Sequence, residues 1–184
     1  MHNSSFIKMQ SFVTKYSSHF FKAGNKILDV GSHDINGSYR QIFSSDIWEY
    51  TGLDLCEGKN VDYVPDDPYR WERIKDESFD LVVSGQVLEH SEYFWLVFEE
   101  IKRVLKTGGL TCIIVPSSGP EHKHPVDCWR FYPDGMRALC KYVGLEVLLV
   151  DTDWEPEENE DGSHLWKDTI LIAHKIQGSP KEIQ

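Results

Sequence analysis

Two stretches of this 184-residue chain hold residue types whose spacing could do chemistry. The first, Pro116 to Tyr132, packs His122, His124, Asp127, Trp129, Arg130 and Tyr132 into eleven residues. Histidine has a pKa of about 6.5 and is the usual general base at neutral pH. His90, in Leu88-Glu89-His90, is a further candidate. The candidate catalytic groups are therefore His124, His122, His90 and Asp127, with His124 first because it lies mid-segment. His122-x-His124 with Asp127 is also an ordinary ligand set for a metal. No other Cys or His lies nearby in the chain except Cys128, so no metal is expected. Trp129 and Phe131 are expected to pack inward and Arg130 to pair with an acid. The competing reading leaves Trp129 exposed to stack on a sugar ring and Arg130 free to clamp an anionic group.

The second stretch is Asp29-Val30-Gly31-Ser32-His33-Asp34-Ile35-Asn36-Gly37-Ser38. Glycine after an apolar strand lets the backbone approach a ligand, and free N–H groups beyond it suit an anionic group. Asp54 follows Gly31 at a spacing that suits an acid holding two ribose hydroxyls. Three nucleotide readings compete. A nicotinamide dinucleotide site wants G-x-G-x-x-G, and His33 stands where the second Gly belongs. A P-loop wants G-x-x-x-x-G-K-[ST], and Gly52 to Asn60 has one residue too many and Asn in place of the hydroxyl. The third reading is S-adenosylmethionine.

The elements that must position these residues follow from periodicity. Apolar residues at three-to-four spacing predict a helix over residues 4–22, ended near Gly24. Short apolar runs predict strands at Lys26–Gly31, Trp48–Leu53, Val61–Val64, Phe79–Ser84, Leu110–Val115, Leu145–Val150 and Thr169–His174. Helices are expected at 37–45, at Glu92–Leu105 and, opened by a proline, at Pro133–Val143. Central strands apolar on both faces predict a parallel sheet covered on both sides. The last two strands have no helix between them and should pair antiparallel at the edge. The fold class is thus α/β: a Rossmann-like three-layer sandwich with a seven-stranded, mostly parallel sheet and an antiparallel edge hairpin. One domain over 1–184 is expected, with a core over 23–175 and a frayed tail over 177–184.

At this point the chain resembles the class I S-adenosylmethionine-dependent methyltransferases. The resemblance rests on Ile27-Leu28-Asp29-Val30-Gly31, Gly52-Leu53-Asp54, Asp76 to Ser84, Gln86-Val87-Leu88-Glu89-His90 and Glu100 to Gly109. Its closest flavour is the group found with bacterial glycan and lipopolysaccharide synthesis genes. The resemblance implies that Asp29 and Gly31 lie beside the methionine moiety, with Ser32 and Asn36 in the same loop. Asp54 would hold the ribose, Leu55 would pack on the adenine, and Asp66 would contact its amino group. Ser84 and Gln86 would end the strand where the methionine part lies. The departure from the family is His33. The resemblance implies S-adenosyl-L-methionine as cofactor and O-methylation of a small molecule or glycan. Two alternatives stay open: an NAD-dependent nucleotide-sugar oxidoreductase and a non-catalytic S-adenosylmethionine-binding protein.

The formal net charge of −11 disfavours nucleic acid and an anionic membrane surface as partners. No apolar run approaches the roughly 20 residues that span a bilayer, and no secretory leader is evident. Four cysteines without a C-x-x-C pair fit a reducing, cytoplasmic setting. A monomer or homodimer is expected. Asp151 to Asp168 holds eight acids against the single base Lys167, so most of the charge is local. Residues 151–162 read as a solvated insertion between edge strands.

Overall fold

The computed structural model describes residues 2–20, 22–44, 46–158 and 160–178. Its elements in chain order are α1 (Asn3–Phe20), β1 (Asn25–Val30), β2 (Trp48–Leu53), β3 (Phe79–Gly85), α2 (Phe94–Val104), β4 (Leu105–Val115), α3 (Pro133–Val143), β5 (Glu146–Thr152) and β6 (Thr169–His174). They build one six-stranded sheet in the order β2-β1-β3-β4-β6-β5. The first four strands run parallel, and β6 is antiparallel to both β4 and β5. The edge hairpin is thus present.

Both faces of the sheet are buried because alternate side chains of each central strand point to opposite sides. Leu28, Val30, Val82, Ile113 and Val115 meet Val97, Phe98 and Ile101 of α2 and Met136, Leu139 and Cys140 of α3. Ile27, Leu81, Val83, Cys112 and Ile114 meet Met9 and Phe12 of α1, together with Tyr39 and Phe43. Helix α3 starts on Pro133 and ends on Gly144 in the left-handed region, as its sequence predicts.

The expectation of seven strands is corrected to six. Val61–Val64 contributes a single parallel bridge, Leu53 to Tyr63. The segment is held beside β2 by amides of Asp62 and Tyr63 donating to Gly52 O at 2.8 and 3.0 Å. Pro65, which carries no N–H, follows at once and a ladder cannot lengthen. The helix expected at 37–45 is one 3-10 turn, Tyr39–Gln41, whose Ser38 hydroxyl accepts from the Arg40 amide. Tyr39 and Phe43 are buried there, so a single turn suffices to cover the sheet. The acidic stretch is only partly a solvated insertion. Asp151 and Thr152 belong to β5, the Asp161 carboxylate accepts from the Asn3 and Ser163 amides, and Trp154 packs near Tyr132. The tail expected to fray lies outside the described residues from position 179 onward.

Candidate active site

The chain leaves β1 for β2 on one side and returns to β3 on the other, so strand order reverses between β1 and β3. Ligands of open α/β sheets bind outside the strand C-termini at such a point. The loop after β1 turns sharply there. Gly31 has φ +84° and its amide, with that of Ser32, donates to Leu53 O at 2.8 and 3.0 Å. A Cβ on Gly31 would lie 2.0 Å from Val87 Cγ2, so no larger residue fits the turn. The buried Ser32 hydroxyl donates to Asn60 O at 3.0 Å.

Asp29 is 2% exposed and its carboxylate accepts from the Tyr50 hydroxyl. Burial pushes its pKa up to about 7, against the pull of Tyr50. Asp54, one residue past β2, accepts from the His33 amide at 3.0 Å and the Leu55 amide at 2.7 Å. The His33 ring folds over the 54–58 loop, with Nδ1 3.5 Å from Cys56 Sγ. It therefore packs on the loop beyond Asp54. Asn36, Leu55 and Asp66 are exposed, and the Asp66 amide donates to Glu72 Oε1 at 3.5 Å. Ser84 is buried and spends its hydroxyl on Val30 O at 2.9 Å, tying the ends of β3 and β1 together. Gln86, with φ +59°, donates from Nε2 to Asp168 Oδ1 at 3.0 Å.

The histidine-rich rim follows β4. Its ends are joined by the Ser117 hydroxyl donating to Phe131 O at 2.7 Å and the Phe131 amide donating to Pro116 O at 2.9 Å. Its middle is fastened to the 3-10 turn Leu88–His90, because the Cys128 and Trp129 amides donate to Glu89 O at 2.7 and 3.3 Å. This fastening brings the predicted histidines together. The ring of His90 lies 4.8 Å from that of His122 and 5.9 Å from that of His124, and those two are 6.0 Å apart.

The four candidates differ in what they are free to do. His90 Nδ1 lies 2.6 Å from Val126 O, a distance that makes it the protonated donor and leaves Nε2 as acceptor. Burial lowers the pKa of both His90 and His122, keeping the rings neutral. His124 is exposed. Asp127 is gripped by both Arg130 guanidinium nitrogens, at 2.6 and 2.8 Å. That fork holds its carboxyl well below the usual carboxylate range, so Asp127 is a poor proton acceptor. The expected partner of Arg130 is thus Asp127. Phe131 is buried as expected, while Trp129 is 39% exposed and donates from Nε1 to Ser91 O at 3.1 Å.

The structure adds a residue that local sequence gave no reason to select. Glu89 is 0% exposed, and neither carboxylate oxygen makes a hydrogen bond to a described residue. Burial pushes its pKa up to about 8. Asp168, counted in the acidic run, is also buried, and accepts from Ser4 Oγ at 2.6 Å as well as from Gln86. Beside the rim lies a hollow of about 1020 Å³ lined by Phe94, Trp95, Trp129, Tyr132, Tyr142 and Trp154 among others.

This architecture matches known proteins. Residues 28–113 match the family model of a methyltransferase domain. No curated protein sequence matches the chain. Among solved structures, it is similar to the 1,6-didemethyltoxoflavin-N1-methyltransferase of Burkholderia thailandensis, with a TM-score of 0.69, 16% identity, and coverage of 94% of this chain and 78% of that one. An S-adenosylmethionine-dependent methyltransferase of Archaeoglobus fulgidus aligns with a TM-score of 0.63, 17% identity, and coverage of 93% and 95%. Phosphoethanolamine N-methyltransferase 2 of Haemonchus contortus aligns with a TM-score of 0.63 and 19% identity over 92% of this chain and 53% of that one. The chain thus shares the fold of solved methyltransferases, and its residues 28–113 match a methyltransferase domain. Two of these solved structures hold S-adenosylhomocysteine or S-adenosyl-L-methionine. No helix among the described residues is long and apolar enough to cross a membrane.

Proposed function

We propose that the protein transfers the methyl group to a hydroxyl of a small molecule or glycan, with His124 as general base. The observation that carries this reading is the cluster of three imidazoles on the rim beyond β3 and β4, beside the point where strand order reverses. The β1 loop fits the cofactor: Gly31 makes the close turn that a Cβ would fill, and Asp54 presents its carboxylate one residue past β2. Asp54 would hold the ribose hydroxyls, with Leu55 against the adenine and Asp66 near its amino group. Asp29, Gly31, Ser32 and Asn36 would border the methionine part, and Gln86 would close it from the end of β3. Ser84 serves by fixing the strand ends. The cofactor supplies an electrophilic methyl carbon on a sulfonium.

The protein then has two tasks. It must hold the acceptor oxygen in line, and it must remove that oxygen's proton. His124 is the exposed imidazole of the three and takes the proton. His90 and His122 pack against it, and Asp127, locked by Arg130, fixes the rim segment that carries His122 and His124. The hollow beside the rim offers the exposed faces of Trp129, Tyr132 and Trp154, at 39, 59 and 46% exposure. Such faces suit a sugar or other ring. The solved neighbours named for small acceptors are N-methyltransferases, so the hydroxyl rests on the rim imidazoles and not on them.

The test is direct. S-adenosylhomocysteine binding should weaken about ten- to a hundredfold in Asp54→Ala, as expected for losing hydrogen bonds to a charged group. His124→Ala should keep that binding and lose about 10²–10⁴ in turnover on a panel of hydroxyl-bearing sugars and phenols. Full turnover by His124→Ala would make catalysis a matter of positioning alone.

A further inference from the structure

Glu89 poses a problem in electrostatics. A carboxyl buried at 0% exposure without a hydrogen-bond partner costs several kcal/mol unless it is neutralised or finds a cation. Arg130 is already spent on Asp127, and no other cation forms an ion pair with Glu89 among the described residues except, at 3.7 Å, the ring of His90. That ring presents Nε2, the nitrogen left as acceptor by the Nδ1 bond to Val126 O. The Glu89 carboxyl and His90 Nε2 therefore face each other across 3.7 Å. A third group stands nearby. His122 turns Nδ1 toward Asp127 Oδ2 at 3.3 Å, which leaves Nε2 as its ligand atom. One ligand atom from each of Glu89, His90 and His122 lies within 4.8 Å of the other two.

We propose that Glu89, His90 and His122 bind a divalent first-row transition ion. Two imidazoles and one carboxylate are the donor set of zinc sites that keep an open position, and of facial sites for other transition ions. A carboxylate and an imidazole that share one ion, each about 2.0–2.2 Å from it, fall at a separation like that of Glu89 and His90. His122 rides on the rim loop and closes the third side. The surroundings also fit. Metal-bound histidine commonly donates its other N–H to a backbone carbonyl, as His90 does to Val126, or to a carboxylate such as Asp127 beside His122.

This set differs from the His122, His124 and Asp127 spacing seen in the chain, because Asp127 is committed to Arg130. It is also better posed than the second convergent set, His33, Asp54 and Cys56. There the Asp54 oxygens already accept from two amides and the thiol is exposed. The proposal stands whether or not the acceptor is a hydroxyl. If it is, the open position faces the same rim and would orient the acceptor oxygen, with His124 left to take the proton.

The experiment uses full-length protein without added histidines, stripped with a chelator and titrated calorimetrically with Zn2+, with Mg2+ as a comparison. One equivalent of Zn2+ should bind and raise the melting temperature, and Mg2+, which prefers all-oxygen sites, should do neither. Glu89→Gln and His122→Ala should each weaken Zn2+ binding at least about a hundredfold, and His124→Ala should leave it within about threefold. Substituting Co2+ adds a readout that folding alone does not give, since its visible absorption reports coordination and should vanish in His122→Ala. If Glu89→Gln fails to fold, His90→Ala and His122→Ala carry the same expectation. Absence of stoichiometric binding, binding that survives both Glu89→Gln and His122→Ala, or equal loss in His124→Ala would each overturn the proposal. Loss of hydroxyl methylation in His124→Ala with intact Zn2+ binding separates this site from the base.

Discussion

Asp29, in β1, and Glu89, in the turn after the neighbouring β3, are both buried carboxyls, yet their surroundings are opposite. Asp29 lies in β1 and receives the Tyr50 hydroxyl. Glu89 lies four residues past β3 and receives nothing. The β1 side is assembled by the protein itself. Its loop amides, Ser32, Asp54 and Asp29 all have partners within the chain. The rim side is assembled up to a point and then leaves Glu89, His122 Nδ1 and Gln86 Oε1 without hydrogen bonds. Buried polar atoms are paired in the great majority of native structures. Of the unpaired groups on the rim side, the Glu89 carboxyl is the one that the proposed ion would satisfy.

The strongest way to break this comparison is to spoil the part of the rim that is self-sufficient. The Asp127 side chain is 2% exposed and depends on the Arg130 fork. Arg130→Ala should cost about 3–5 kcal/mol in chemical unfolding, because it leaves a buried charge without its partner. A loss under about 1 kcal/mol would show that the rim does not rely on that pair. Next comes the β1 turn. Gly31→Ala meets both the left-handed φ and the contact with Val87, and should cost about 1–3 kcal/mol and block S-adenosylhomocysteine binding.

Tyr50→Phe would make Asp29 resemble Glu89. It should cost about 1–3 kcal/mol, the range for leaving one buried acceptor unsatisfied. By contrast, Glu89→Gln in metal-free protein should be close to neutral, because the wild-type carboxyl has no hydrogen bond to lose. Equal losses in the two variants would erase the distinction. The gentlest probe is pH. Asp29 titrates near 3.8 unfolded and about 7 folded, so the folded state holds its proton more tightly. That stability is fully present below about pH 4 and declines as pH rises toward 7, by at most about 1.4 kcal/mol per unit. Asp29→Asn should flatten that stretch of the stability profile in chemical denaturation at stepped pH.

Much of the scaffold was legible because it rests on local pattern. β1, β3 and β4 are apolar on both faces, and only a sheet covered twice can accept that. Pro133 and Gly144 punctuated α3 for reasons internal to the chain. The misses came where tertiary contacts decided. Val61–Val64 has strand-forming residues but only room for one bridge before Pro65. One 3-10 turn at Tyr39–Gln41 suffices because Tyr39 and Phe43 share the cover of β1 and β3 with Met9 and Phe12 of α1. The cluster of His90, His122 and His124 could be guessed only as a list, since their meeting depends on amides 128 and 129 docking on Glu89. Glu89 was legible only as a member of the Gln86–His90 stretch, with no sign of its burial. A glutamate in a polar stretch reads as solvated, and its burial is imposed by a segment some forty residues away.

The first turn of α1 forms part of the wall of this site. Ser4 donates to Asp168, Ser5 Oγ lies 2.5 Å from Tyr39 Oη, and the His2 ring stacks on Trp166 at 5.0 Å and lies 6.4 Å from that of His122. Residues fused ahead of His2 would thus emerge beside the rim and not into remote solvent. A polyhistidine purification tag placed there would bring foreign imidazoles to His122 and mimic or mask the metal. Fusions for assay and crystallisation belong at the opposite terminus, and an N-terminal fusion that alters activity would report on the site and not on the core.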